Sequence, residues 1–464
     1  MTNKTKYIAI AALLLNSVFS LSAQSLRAGY FSDSYLYRHN INPALGNDRN
    51  YVGLPAISNL RQDIGMNFGI SNFIKKDATG NLVTFMHESV GTNDFISELP
   101  DVAKVMENLD MNIFSVGWVT KKSYNTFTIG AHAQAGFALP KGMFTFLKEM
   151  DSSKPYDFND LRVRAHAYAD IAYGNSRNYT DDFRFGFKVK ALLGIGYANT
   201  NINNFNAYFG ADKWTANLDG SLEVAGGDGH FTRDNNGYVD GYKDFKPGVN
   251  GLGAAIDLGA TYDMQEWVNG LKLSLAVTDI GFIKWNDISC ANNSGNSTFE
   301  FDGFNNITFS KDEPQSLKNQ WNDIKDDLDA MAKFKSSYKE SVNQKLGTTL
   351  TAGVEYEIPA YKKVSFGMLY TQRFDDVFNF NECRVVANYG PSSYFDISAS
   401  AAINTWGTTY GALLNLSIPG INIFFGTDYI YTGSVNKNYV PLEKGGLNFQ
   451  IGFNFAFLRD DDDL

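Results

Sequence analysis

The stretch RVRAHAYADIAYG, residues 162–174, changes character at every step. Val163, Ala165, Ala167, Ala169, Ile171 and Tyr173 fall on one face, and Arg162, Arg164, His166, Tyr168 and Asp170 fall on the other. A β-strand sends successive side chains to opposite sides, so this is a strand with one greasy and one charged face. FRFGFKVKALLGIGY, residues 183–197, repeats the design, with Phe183, Phe185, Phe187 and Val189 opposite Arg184, Lys188 and Lys190. The same period runs through residues 127–137, 271–282 and 447–457. Several greasy faces begin or end on an aromatic, as at Phe127 and Phe137. That placement suits a wall whose apolar band ends at two lipid–water interfaces.

Two architectures bury such a face. A secreted β-sandwich turns it inward between two sheets, whereas a membrane barrel turns it outward to lipid and closes on itself so that no strand edge is left unpaired. A sandwich of 464 residues should split into domains with linkers between them, and no Pro/Ser-rich linker or break in composition is present. Beyond residue 23 no run of 18 apolar residues occurs, so helices do not span a bilayer here. The 36 Phe, 25 Tyr and 42 Gly sit in a chain whose mean hydropathy is only −0.25, as expected when alternate positions alone are apolar. The expected fold class is all-β, a transmembrane up-and-down antiparallel β-barrel of about 14 strands, an even number between about 12 and 16. The connections 359–362, 390–393 and 418–420 are short and fall on the periplasmic side, while insertions near 225–250 and 284–346 fall outside. In the N-terminal half, residues 90–110 and 139–160 would be long periplasmic connections, and 80–88 is the weakest strand candidate.

The compartment follows from the first residues. Lys4 and Lys6 precede an apolar run from Tyr7 to Leu15 and a small-residue end at Ser22-Ala23, the pattern of a secretory signal peptide over 1–23. Cleavage there would leave Gln24 first, with no cysteine for a lipid anchor. The expected location is the outer membrane of a Gram-negative cell, with outer-membrane lipid as a partner. A net charge of −10, two units more negative once Lys4 and Lys6 are removed, argues against nucleic acid. Cys290 and Cys383 are too few for a disulfide scaffold, and their spacing does not say whether they pair.

The charged face on adjacent strands, Arg162, Arg164, His166, Asp170, Arg184, Lys188 and Lys190, forms a lumen wall. It would guide an anionic ligand such as a carboxylate, or hold a plug through salt bridges. In the 284–346 insertion, Leu317, Trp321, Ile324, Leu328 and Met331 recur at helical spacing, with Ser310 and Glu313 as a capping box, which predicts an external amphipathic helix. Asp234, Asn236, Gly237 and Asp240 imitate a calcium loop, but Thr232 and Lys243 stand where its strongest acidic ligands belong, so no metal is expected. His87 and Ser89 are two apart, as in outer-membrane lipid hydrolases, yet no third partner is identifiable and no enzyme is expected. No cofactor fingerprint is found.

Asn42-Pro43-Ala44 soon after the signal, the charged strand pair at 162–197, and GLGAAIDLGATY followed by LSLAVTDIGFIKW resemble the FadL-like outer-membrane superfamily of long-chain fatty-acid transporters. The likeness is closer to its PorV-like branch and an uncharacterised family beside it. The resemblance implies a hatch over residues 24–50 inside a fourteen-stranded barrel spanning 51–464, with Asn42, Pro43 and Ala44 in the lumen. It implies transport or binding of a hydrophobic or anionic small ligand. The alternative is a non-transporting accessory or shuttle role in an outer-membrane assembly complex, as in type IX secretion machinery.

Overall fold

The computed structural model describes residues 26–149, 154–210, 213–293, 297–302, 322, 334, 336–430 and 443–458. Its strands close into one antiparallel barrel of fourteen. In chain order they are β1 (Arg49–Gly53, resuming at Leu60–Met66), β2 (Val102–Val119), β3 (Ser123–Pro140), β4 (Arg162–Asn178) and β5 (Phe183–Phe209). Then come β6 (Trp214–Ala225, resuming at Gly251–Asp263), β7 (Leu271–Asn292), β8 (Ser336–Lys345, resuming at Thr348–Glu357) and β9 (Val364–Phe374). The last five are β10 (Phe380–Ser392), β11 (Phe395–Asn404), β12 (Gly407–Ile418), β13 (Ile421–Ile430) and β14 (Gly445–Leu458). Arg49 opposite Leu458 and Tyr51 opposite Gly117 seat β1 between β14 and β2 and close the ring.

The wall is inside-out relative to a soluble protein. Phe366, Met368 and Val385 on its outer side are each more than half exposed, while Leu369, Arg384 and Asp428 on its inner side are fully buried. A continuous apolar exterior of this kind belongs against lipid. Strands β9 to β13 run 10 to 13 residues, close to the ~9–11 that a tilted strand needs to cross a bilayer. The opposite side is taller, with 27 residues in β5 and 22 in β7.

Connections sort by end. The end that carries Leu458 also carries the turns 120–122, 179–182, 264–270, 358–363, 393–394 and 419–420. The expected short connections at 359–362, 390–393 and 418–420 all map there. The N-terminal half corrects the reading of long periplasmic connections. Residues 67–101, 141–149 and 154–161 lie at the opposite end, because β2 and β3 run back to Val102 and forward to Pro140 and meet through a three-residue turn. The weak segment 80–88 is no barrel strand, since Ile74–Lys76 pairs only with Leu82–Thr84 in a separate hairpin. The insertion placed at 284–346 is also narrower, because residues 282–292 of β7 pair with 336–345 of β8. The 225–250 insertion is a sideways excursion between the two halves of β6, carrying the hairpin His230–Arg233 and Val239–Lys243. The expected helix over Leu317, Trp321, Ile324, Leu328 and Met331 lies outside the described residues.

Candidate functional site

Residues 26–48 form no barrel strand, and most of their side chains, Asp33 and Asp48 apart, are buried or half-buried against inward-facing residues of the wall. Leu26, Ala28, Tyr35, Tyr37, Asn42 and Ala44 are almost wholly buried. Tyr35 and Tyr37 pack on Phe424 of β13 at ring separations of 5.1 and 5.7 Å, and Tyr37 packs on Tyr51 at 5.5 Å, so apolar contact as well as polar contact holds the segment.

Asn42 fixes its own turn. Its Oδ1 accepts the Ala44 N–H at 2.9 Å, and its Nδ2 donates to the Tyr30 hydroxyl at 3.0 Å. The turn lies directly on the wall, because β5 and β6 present glycine there. A Cβ on Gly186 would collide with the Pro43 carbonyl, and one on Gly259 would collide with Asn42 Oδ1. Beside it the Ser176 hydroxyl donates to the Ala44 carbonyl at 2.6 Å and accepts from Arg184 Nε at 2.6 Å.

Of the seven residues predicted for the charged wall, His166, Asp170, Arg184, Lys188 and Lys190 line cavities. His166 meets Gln344 Nε2 at 2.9 Å, and Gln344 also accepts the Trp285 indole N–H at 2.8 Å. Asp170 lies 2.9 Å from His132 Nε2. Lys190 bridges Asp257 at 2.8 Å and Asp279 at 2.7 Å. Arg164 pairs with Asp375 at 2.5 Å, while Arg162 donates to the carbonyls of Asn159, Leu161 and Ile202. Lys188 is the exception. It is 4% exposed, and its ammonium donates to Asn40 Oδ1 at 2.7 Å and approaches His39 Nδ1 at 3.3 Å, both neutral acceptors. No carboxylate lies within 4.0 Å of it among the described residues. Burial, and then the Lys188 charge, hold His39 well below the usual imidazole range, so its Nδ1 is free to accept.

These groups do not form one site. Lys188, Lys190, Asp170 and His166 share a cavity of about 140 Å³ with Asp110, His132, Asp279 and Arg373. Arg184 lines a second, of about 210 Å³, toward the turn end with Asp33, Arg38, Lys272 and Glu355. Asn40 and Ile41 border the first, and Ala44 to Gly46 border the second, so residues 40–46 stand between them. Arg162 and Arg164 lie apart, toward Asp375 and Asp376.

Sequence reasoning missed His132, held between Asp110 at 2.6 Å and Asp170 at 2.9 Å. Its place on the polar face of residues 127–137 was the available signal, but its partners come from β2 and β4. His87 Nδ1 does lie 2.8 Å from Ser89 Oγ, in an exposed turn at the long-loop end. No carboxylate is hydrogen-bonded to that imidazole among the described residues. Asp234 Oδ1 accepts the Asn236 and Tyr238 backbone N–H groups, capping its hairpin turn. Cys290 is buried and Cys383 exposed, both as free thiols.

A family model described as a family of unknown function (DUF5723) matches residues 43–428. No curated protein matches the chain. Similar solved structures include a Pseudomonas aeruginosa FadL homologue, 12% identical, covering 94% of this chain and 98% of that one at a TM-score of 0.43. The P. putida toluene transporter TodX is 9% identical, with coverages of 95% and 96% and a TM-score of 0.41. The monoaromatic hydrocarbon channel CymD is also 9% identical, covering 95% of each chain at a TM-score of 0.41.

Proposed function

We propose that this chain, which belongs to the DUF5723 family of unknown function, is an outer-membrane barrel that binds a small anionic ligand in its lumen and passes it toward the turn end when a plug formed by residues 26–48 shifts. The observation that carries this reading is Lys188, a buried ammonium on the wall of the upper cavity with only neutral partners. The neighbouring charges are engaged: Asp110 and Asp170 with His132, and Asp257 and Asp279 with Lys190. The hydrogen-bonding capacity left at Lys188 is therefore a donor's, and a carboxylate or similar anion is the group that such a donor stabilises.

Arg184 extends the reading. It stands four residues before Lys188 on the same face of β5, roughly 13 Å away at strand rise, and it opens into the lower cavity. An anion released by Lys188 would meet a second cation beyond residues 40–46. The cavity lining favours an anionic over a purely hydrophobic ligand, since Asn108, Thr128, Gln134, Thr349 and Thr371 line it beside the charged groups.

Calorimetric titration of the purified full-length protein with a series of short carboxylates and their neutral amides tests this. Carboxylates should bind, amides should not, and Lys188→Gln should weaken binding at least about tenfold, a loss of ~1.4 kcal/mol. Equal binding of acid and amide, or unaltered affinity in the variant, would sink the ligand assignment.

A further inference from the structure

We propose that β1, β10 and β13 build a guanidinium socket in the lumen wall, filled in this structure by the chain's own Arg27, and that this socket latches the plug. The wall contributes two guanidinium groups, Arg61 and Arg384, and three carboxylates, Asp63, Glu382 and Asp428, all buried. Arg384 forks onto Glu382 at 2.8 and 3.0 Å, Arg61 lies 3.4 Å from Asp428 and 3.6 Å from Asp63, and Asn404 donates to Glu382 at 2.9 Å. By itself this set holds one negative charge too many. Arg27 makes it three against three.

The fit is specific for a planar cation. Arg27 Nε lies 3.0 Å from Glu382 and 3.7 Å from Asp428, and its guanidinium donates to the Tyr429 hydroxyl. The same group stands 4.9 Å from the Phe380 ring centre and 5.5 Å from that of Tyr429. Two aromatic faces beside a pair of carboxylates suit guanidinium better than ammonium. The backbone is captured too, because the N–H groups of Arg27 and Ala28 donate to the two Asp428 oxygens at 3.0 and 2.7 Å.

Position turns the socket into a latch. The plug's far end runs directly into β1 at Arg49, which donates to the carbonyls of Ser417 and Ser393 and is fixed to the barrel. Its near end is held by Arg27. Withdrawing that side chain leaves a buried, uncompensated negative charge, an arrangement proteins tolerate poorly, so the empty socket should take up a soluble guanidinium. This inference rests on residues 26–48 acting as a plug, and it does not depend on which ligand the upper cavity takes.

Planar-bilayer conductance of the full-length protein tests it, with ethylguanidinium and, as a neutral planar control, urea as millimolar probes. Arg27→Ala should conduct several-fold more than the unaltered protein while keeping heat-modifiable gel migration. Ethylguanidinium should bring that conductance back down, and urea should not. Should Arg27→Ala fail to fold, Arg27→Gln combined with Glu382→Gln leaves two charges of each sign; it should fold yet stay leaky. Unchanged conductance in the leaky-barrel variants, or urea acting as well as ethylguanidinium, would overturn the latch. Deleting residues 26–48 separates the two ideas. If the deletion conducts no more than the intact chain, the plug reading fails; if it conducts more but Arg27→Ala does not, only the latch fails.

Discussion

At the scale of single residues, the seat of the proposed plug combines a neutral histidine with a buried ammonium. His39 is packed against Lys188, the Tyr51 hydroxyl at 3.3 Å, the Tyr37 ring and its neighbour Arg38. Every charge among these is positive. Because the folded His39 titrates well below the ~6.5 of a free imidazole, the released segment binds a proton that the seated one refuses. Seating is then at full strength above about pH 6.5 and weakens as pH falls below it, by up to roughly 1.4 kcal/mol per pH unit until the seated histidine also titrates. Channel conductance should therefore rise between pH 7 and pH 5, and His39→Gln should flatten that rise. A rise of the same size in the variant would assign the effect to other groups.

Among elements, the turn of the proposed plug lies tight on β5 and β6, its backbone against Gly186 and its Asn42 side chain against Gly259. Gly186 and Gly259 leave room for Pro43 and Asn42, and the Arg184–Ser176–Ala44 hydrogen-bond chain fastens the next residue. Adding one methyl at Gly186 puts it against the Pro43 carbonyl, which cannot turn aside as a side chain could. Gly186→Ala should thus disfavour the seated plug by roughly 1–3 kcal/mol, the usual cost of overpacking, while β5 keeps its ladder with β4 and β6. Protease cleavage within residues 26–48 should quicken in folded, heat-modifiable protein. A variant as resistant as the unaltered protein would mean that the turn can sit elsewhere at no cost.

For the whole molecule, the outward apolar face makes a demand no soluble protein would make. Val385 lies near the middle of β10 and is 54% exposed. Val385→Arg should cost roughly 2–4 kcal/mol of folding stability in lipid vesicles, as for a cation facing the bilayer midplane. Denaturant titration of vesicle-refolded protein would read that loss. A cost within about 0.5 kcal/mol, typical of a water-exposed surface change, would count against a membrane-embedded wall.

The barrel was legible in the sequence because strand alternation is local: each residue's face follows from its neighbours, whatever lies across the lumen. Arg162 through Lys190 could be placed on the face opposite the apolar one for that reason. Even the end to which 418–420 belongs could be read, since turns are short-range. Strand boundaries beside long loops could not, and residues 90–110 were misplaced because the length of β2 depends on its pairing with β3. What each inward charge does was decided only by the fold. Lys190 and Lys188 sit two residues apart on the same face of one strand, yet one is neutralised by Asp257 and Asp279 and the other meets only His39 and Asn40. Asp428 lies 401 positions beyond Arg27, and nothing local to either residue marks the other as its partner. Period two tells a side chain which way to face, while closure of the ring and entry of residues 26–48 into the lumen decide what it finds there.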